Sequence, residues 1–157
     1  MNECEVVKTV TVLMADDDPE DRLMTERAFK QSRVVNDLRF VEDGQELMDY
    51  LYRAGRYAES AAAPRPGLIL LDLNMPRKNG RQALAEIKSN PDLRCIPVVV
   101  LTTSRDEQDV LESYNLGVNS YITKPVTFQG LVEAIGVFGR YWLEIVELPP
   151  EKSRMTP

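Results

Sequence analysis

Two aspartates, Asp16 and Asp17, directly follow an apolar run at residues 9–15, and Asp72 directly follows a second run, LILL, at 68–71. Each run has the β-branched or aliphatic character of a short buried strand, so three carboxylates are delivered to strand ends far apart in the chain. Carboxylates that approach one another repel and need a cation between them. A hard divalent ion with oxygen ligands, Mg²⁺ above all, meets that need. Asp17 and Asp72 are placed to ligate it directly, Asp16 through water or from behind the direct ligands, and the backbone carbonyl of Asn74 lies in the loop after Asp72. Asp18, by contrast, is expected only to cap the helix that follows. Beside such an ion Asp72 stays ionised and can attack phosphorus as a nucleophile, giving an acyl phosphate; its other possible role is that of a structural metal ligand.

Two further polar residues fall at strand ends. Thr102 closes the run PVVVL at 97–101 and could donate to a phosphoryl oxygen or satisfy the backbone, with Thr103 and Ser104 as competing hydroxyls. Lys124 precedes Pro125, which restricts its backbone. It could neutralise the acids and then pair with an added phosphoryl group, and a cis bond before Pro125 is one way to aim it inward. An exposed lysine before a turn is the plainer alternative.

Composition narrows the chemistry. The 157 residues contain no histidine, so a Ser-His-Asp site, a histidine zinc site and a phosphohistidine on this chain are all impossible. The chain has neither a G-x-x-x-x-G-K-[ST] nor a G-x-G-x-x-G loop, which argues against direct use of a nucleotide. The net charge of −6 is opposite to a nucleic-acid footprint. No apolar stretch approaches a membrane span, residues 1–9 lack the regions of a signal peptide, and Cys4 and Cys95 have no metal-type spacing. A reduced, cytoplasmic chain with neither membrane nor nucleic-acid partner is expected.

The elements that must hold these residues alternate. Strands are expected at 9–15, 38–41, 68–71, 97–101 and 119–123. Helices are expected from Pro19 to about Gln31, over 44–54, over 81–89, from a Ser104–Glu107 capping box to about Leu116, and from Thr127 through Trp142. Residues 55–67, with Pro64 and Pro66, form an extended surface connection. Five strand–helix units with near-continuous apolar strands imply an α/β fold: a doubly wound, five-stranded parallel sheet covered on both faces, with its functional groups at the carboxyl ends of the strands. Asp16, Asp17, Asp72, Thr102 and Lys124 all fall there.

Taken together, ADD at 15–17, LLDLNMPRKNG at 70–80, VLTTS at 100–104 and YITKP at 121–125 resemble the receiver domain of bacterial two-component response regulators. The connection before Pro66, the DLNMP and LTTS wording and the closing YWLEIVELP resemble the single-domain regulators paired with phytochrome-type histidine kinases. The resemblance implies strand order 2-1-3-4-5 and a receiver domain over 9–148 between tails at 1–8 and 149–157. It implies that Asp72 takes a phosphoryl group from a sensor histidine kinase. Asp16, Asp17 and the Asn74 carbonyl hold Mg²⁺, and Thr102 and Lys124 hold the phosphoryl oxygens. Thr102 and Tyr121 act as a switch read out on the face of the fourth helix, fifth strand and fifth helix. The triple acid 16–18 and the bulk of Thr103, which would slow access to Asp72, are departures from the family pattern. With only a short tail after Trp142, no output domain is expected. Instead, a homodimer is expected through that face and an apolar C-terminal segment of Phe138, Tyr141, Trp142, Ile145, Val146 and Leu148. A Mg²⁺-dependent phosphotransferase acting on a small substrate and a scaffold with a vestigial site are the rival classes. The first would want a second acid where Asn74 stands.

Overall fold

The computed structural model describes residues 10–33, 37–59, 62–103, 106–145 and 148–149. Five parallel strands form one sheet in the order β2-β1-β3-β4-β5. In chain order the elements are β1 (Thr11–Ala15), α1 (Pro19–Gln31), β2 (Asp37–Val41), α2 (Gly44–Tyr52), β3 (Leu68–Leu71), α3 (Gly80–Ser89), β4 (Val98–Thr102), α4 (Glu107–Asn115), β5 (Ser120–Thr123) and α5 (Phe128–Gly139). A π-helical turn, Arg140–Ile145, continues α5. This is the expected doubly wound sheet and strand order.

Both faces of the sheet are covered, which is why β3 is apolar at every position and β1 and β4 are apolar except for Thr11 and Thr102 at their ends. On one face Leu13, Ile69, Leu71, Val98 and Val100 pack against Leu47, Met48 and Leu51 of α2 and Leu84 and Ile87 of α3. On the other, Val12, Met14, Leu70, Val99 and Leu101 pack against Ala28 and Phe29 of α1 and Val132, Ile135 and Phe138 of α5. Each such fully buried aliphatic side chain contributes about 1.5–3 kcal/mol. The outer strand β5 is only half-buried along its length.

Helix starts follow local chemistry. Asp18 caps α1 by accepting from the Glu20 amide, with Pro19 at the first helical position, as expected. Asn79 and Gln82 form a reciprocal capping box that starts α3 at Gly80, one residue earlier than expected. α4 is capped by Asp106, whose side chain accepts from the Gln108 amide. Ser104, the expected cap, lies outside the described residues, as do Val34–Asn36, Val146 and both chain tails. α2 ends earlier than expected because Arg53 takes the left-handed conformation, φ 55°.

The C-terminal segment divides. Phe138 is buried, and Trp142 and Leu143 are half-buried against the α1/α5 side of the core. Tyr141 packs edge-on to Trp142 but is 52% exposed. Leu148 is half-buried, and its Cδ1 lies 3.6 Å from where a Cβ on Gly67 would stand. Among the described residues of the apolar segment, Phe138 and Trp142 therefore cover this chain's own core, and Tyr141 faces solvent. No helix among the described residues is long and apolar enough to cross a membrane.

Candidate functional site

The sheet register sets the site. Ala15 pairs with Leu71, so the residues that follow them, Asp16 and Asp72, leave adjacent strands at one level. The Asp72 amide donates to the Ala15 carbonyl at 3.0 Å, and the Asp16 amide donates to Val41 at 3.1 Å. Thr102 pairs with Thr123, and the Lys124 amide donates to the Thr102 carbonyl at 2.7 Å. Backbone hydrogen bonds thus hold Asp16, Asp72, Thr102 and Lys124 at the carboxyl edge of four consecutive strands of the sheet.

Two close backbone approaches shape the floor. A Cβ on Gly80 would lie 2.3 Å from the Asp72 carbonyl oxygen, so only glycine lets α3 start directly against the end of β3. A Cβ on Gly44 would lie 2.0 Å from the Lys78 carbonyl oxygen, to which the Gly44 amide donates at 2.9 Å. The same loop is tied to the start of α2 by Arg77, which forks onto Asp43 with two bonds of 2.9 Å. Arg77 itself is left-handed, φ 62°, a conformation that disfavours non-glycine residues.

Asp16 is fully buried, Asp72 is 8% exposed and Asp17 is exposed. One carboxylate oxygen from each lies within 4.8 Å of those of the other two. That convergence of oxygen donors suits a hard divalent cation, which would offset the repulsion that the single ammonium of Lys124 leaves among three carboxylates. The two oxygens of Asp72 are unlike. Oδ1 accepts from Thr102 Oγ1 at 2.9 Å and from the Asn74 amide at 3.2 Å, whereas Oδ2 faces the Lys124 ammonium at 3.5 Å. Asn74 itself is exposed in the loop.

Lys124 is turned inward. Its Nζ donates to Asp16 Oδ2 at 2.6 Å and to Asp21 Oδ2 at 2.9 Å. The peptide bond before Pro125 is trans, as are all those among the described residues, so no cis bond aims this lysine. The β4–β5 ladder, which fixes the Lys124 amide on Thr102, does so instead. Burial alone would lower the Lys124 ammonium. The hydrogen bond to Asp16, the charges of Asp16 and Asp72 and the bond to Asp21 outweigh it and raise the group above the ordinary lysine range. For Asp16, burial pushes the carboxyl up, against the bond from Lys124, the bond from the Asp18 amide and the lysine's charge; the charge on Asp72 adds to the rise.

Tyr121 is half-buried on β5, opposite Val100, and packs against the α2/α3 side of the core. The structure thus brings together Asp16, Asp17, Asp72, Thr102 and Lys124, and sets Tyr121 two pairs back from Thr102 and Thr123 along β4 and β5. Sequence reasoning missed Asp21 and Arg22. Asp21 was legible only as a first-turn helix acid, and Arg22 Nη1 donates to the Asp16 carbonyl at 2.7 Å.

This geometry has a known counterpart. The model of the response regulator receiver domain matches residues 12–136. The chain belongs to the response regulator receiver family. Among curated relatives, the receiver is 46% identical to "Response regulator Rcp1" of Synechocystis sp. over 138 residues, 88% of this chain and 92% of Rcp1. Among solved structures, it matches the phosphorylated cyanobacterial phytochrome response regulator RcpA with a TM-score of 0.85 and 43% identity, over 91% of this chain and 100% of RcpA. It also matches the Mn²⁺-bound form of Rcp1, with a TM-score of 0.82 and 44% identity over 90% and 99% of the two chains. The family expectation drawn from the four motifs is met, and the receiver falls close to the phytochrome response regulators.

Proposed function

We propose that this receiver takes a phosphoryl group from a sensor histidine kinase on Asp72 and signals through the surface of α4, β5 and α5. The observation that carries the reading is the convergence of three remote carboxylates with one buried lysine and one buried hydroxyl at a single sheet edge. In the transfer, an Asp72 carboxylate oxygen attacks phosphorus, the P–N bond to the kinase imidazole breaks, and its electron pair leaves with the ring nitrogen. The product is an aspartyl phosphate. Such transfers ask for positioning and charge neutralisation rather than acid–base groups, which suits a chain without histidine. Asp16, Asp17, Asp72 and the Asn74 carbonyl would hold Mg²⁺, which supplies positive charge to the phosphoryl oxygens. Thr102 and Lys124 are placed to bind the remaining oxygens. No small-molecule turnover is proposed beyond phosphoryl uptake and its hydrolysis from Asp72.

Phosphorylation replaces one carboxylate charge by roughly −2 and draws Thr102 toward the phosphoryl group. That movement opens space at the end of β4, into which the half-buried Tyr121 turns. Leu111 and Tyr114 on α4, Val137 on α5 and Tyr141 just beyond it are exposed, which supports a homodimer through this side together with the C-terminal segment. Residues 9–148 form the functional unit, located in the cytoplasm, with neither nucleic acid nor membrane as a partner. Because RcpA is a phytochrome response regulator and is 43% identical to this chain, the partner kinase is of the phytochrome type. Incubation with acetyl phosphate and Mg²⁺ tests the site: the protein should be labelled, and Asp72→Asn should abolish labelling. Labelling that survives this substitution overturns the assignment, and transfer from a phytochrome-type kinase to the wild-type chain tests the partner.

A further inference from the structure

Lys124 is held by more than the acids of the proposed phosphoryl site. Its ammonium donates to two carboxylates, Asp16 at 2.6 Å and Asp21 at 2.9 Å, and stands farther from Asp72, at 3.5 Å. Asp21 belongs to the first turn of α1, not to a strand tip. Its carboxylate is 40% exposed, while the Lys124 side chain is 10% exposed. A shallow groove of about 100 Å³ between α1 and the β5–α5 connection, lined by Asp21, Met24, Thr25, Pro125 and Phe128, gives solvent access to the pair. Asp21 therefore grips the lysine from the solvent side, away from Asp72.

We propose that Asp21 is a positioning residue that competes with the phosphoryl group for Lys124, and so limits how tightly the receiver holds phosphoryl on Asp72. An ammonium has three donors. One is committed to Asp16, and a second stays on Asp21 while the receiver is unphosphorylated. When a phosphoryl group arrives at Asp72, the lysine shares its charge between the new oxygens and Asp21. The Asp21 carboxylate also repels the incoming anion through the lysine's pocket. Removing that one charge while keeping the side-chain shape should leave Lys124 freer to move onto the phosphoryl oxygens. Ion pairs with one half-exposed partner are worth little, so the effect is about two- to fivefold rather than orders of magnitude.

This inference rests on the phosphoacceptor reading of Asp72, and the test separates the two. Beryllofluoride, a phosphoryl mimic, is titrated by calorimetry at saturating Mg²⁺ into the full chain, as wild type, Asp21→Asn and Asp21→Glu. Asp21→Asn is expected to bind beryllofluoride two- to fivefold more tightly than wild type, and Asp21→Glu to stay near wild type. The advantage of Asp21→Asn should shrink as salt rises from about 0.05 M to about 0.5 M, because screening removes a charge effect but not a packing effect. Equal or weaker binding by Asp21→Asn, or a gap that salt leaves unchanged, overturns the role of Asp21 while leaving Asp72 as the site. If no variant and no wild-type chain binds beryllofluoride, the phosphoacceptor reading itself fails and this inference with it.

Discussion

Replacing Lys124 by methionine keeps the buried aliphatic stem and removes the ammonium. Asp16 is fully buried and loses its closest ionic partner, while Asp72 stays within carboxylate contact of it. Breaking a buried pair from one side costs about 3–5 kcal/mol. The half-exposed Asp21 returns to water with little penalty, and Asp16 can take up a proton, so a loss of about 2–3 kcal/mol at pH 7 without metal is expected. The pH dependence follows from sign. Asp16 is already pushed above the ordinary carboxyl range by burial. A raised folded value means that the neutral form is favoured on folding, so stability is intact below the unfolded value and is lost as pH rises through the folded one. Without the lysine the rise is larger, so the deficit of Lys124→Met should be small near pH 4 and grow toward neutrality. A divalent cation replaces the missing charge. Mg²⁺ at a hundred times its dissociation constant adds about 2.7 kcal/mol to a state that alone binds it, and the variant should gain more from it than the parent does. Urea unfolding at pH 4.5 and pH 7, with and without Mg²⁺, measures all four states. A deficit that is the same at both pH values and with or without Mg²⁺ would refute the electrostatic account of this site.

Gly80→Ala places a methyl 2.3 Å from the Asp72 carbonyl oxygen, and should lower unfolding stability by about 1–3 kcal/mol and weaken Mg²⁺ affinity with it; a neutral result on both would show that α3 does not fix Asp72. Thr102→Val removes one of two donors to Asp72 Oδ1 and should slow labelling by acetyl phosphate, with Thr102→Ser restoring most of the rate; equal rates in all three would exclude the hydroxyl from phosphoryl handling. Tyr50 is pushed up to about 12 by burial, so its contribution is complete below about pH 10 and is lost as pH rises toward 12. Tyr50→Phe should flatten that alkaline limb of the stability curve while losing about 1 kcal/mol at neutral pH with the bond to the Pro64 carbonyl, 2.8 Å long. Alkaline unfolding curves that superimpose would contradict this.

The central strands were legible because burial on both faces leaves their interior positions apolar: LILL and VVVL are uninterrupted, and the acids after β1 and β3 and the threonine that closes β4 mark where the sheet ends. The helix starts were less so. Ser104 and Asp106 both suit a cap, and residue type alone does not decide between them. Gly80 looks like the end of a loop, although the close approach of α3 to Asp72 makes it the first residue of a helix. Pro125 suggested a backbone device for aiming Lys124, where ordinary ladder pairing with Thr102 suffices. Asp21 was opaque for a different reason. Its helix position accounts for it completely, and only the meeting of α1 with the end of β5, a separation of 103 residues, shows its second partner. The apolar C-terminal segment was ambiguous because one stretch serves two purposes, with Trp142 and Leu143 turned to the core and Tyr141 to solvent.

Among the described residues β5 stands at the border of the sheet, paired with β4, and none of its four residues is fully buried. It nonetheless carries Tyr121 and leads directly into Lys124. The doubly covered strands β1 and β3 and the half-buried border strand β5 therefore meet at the same place. Amide hydrogens of β1, β3 and β4 should exchange slowly and those of β5 sooner, so that chemistry on the rigid interior is coupled to a border that yields.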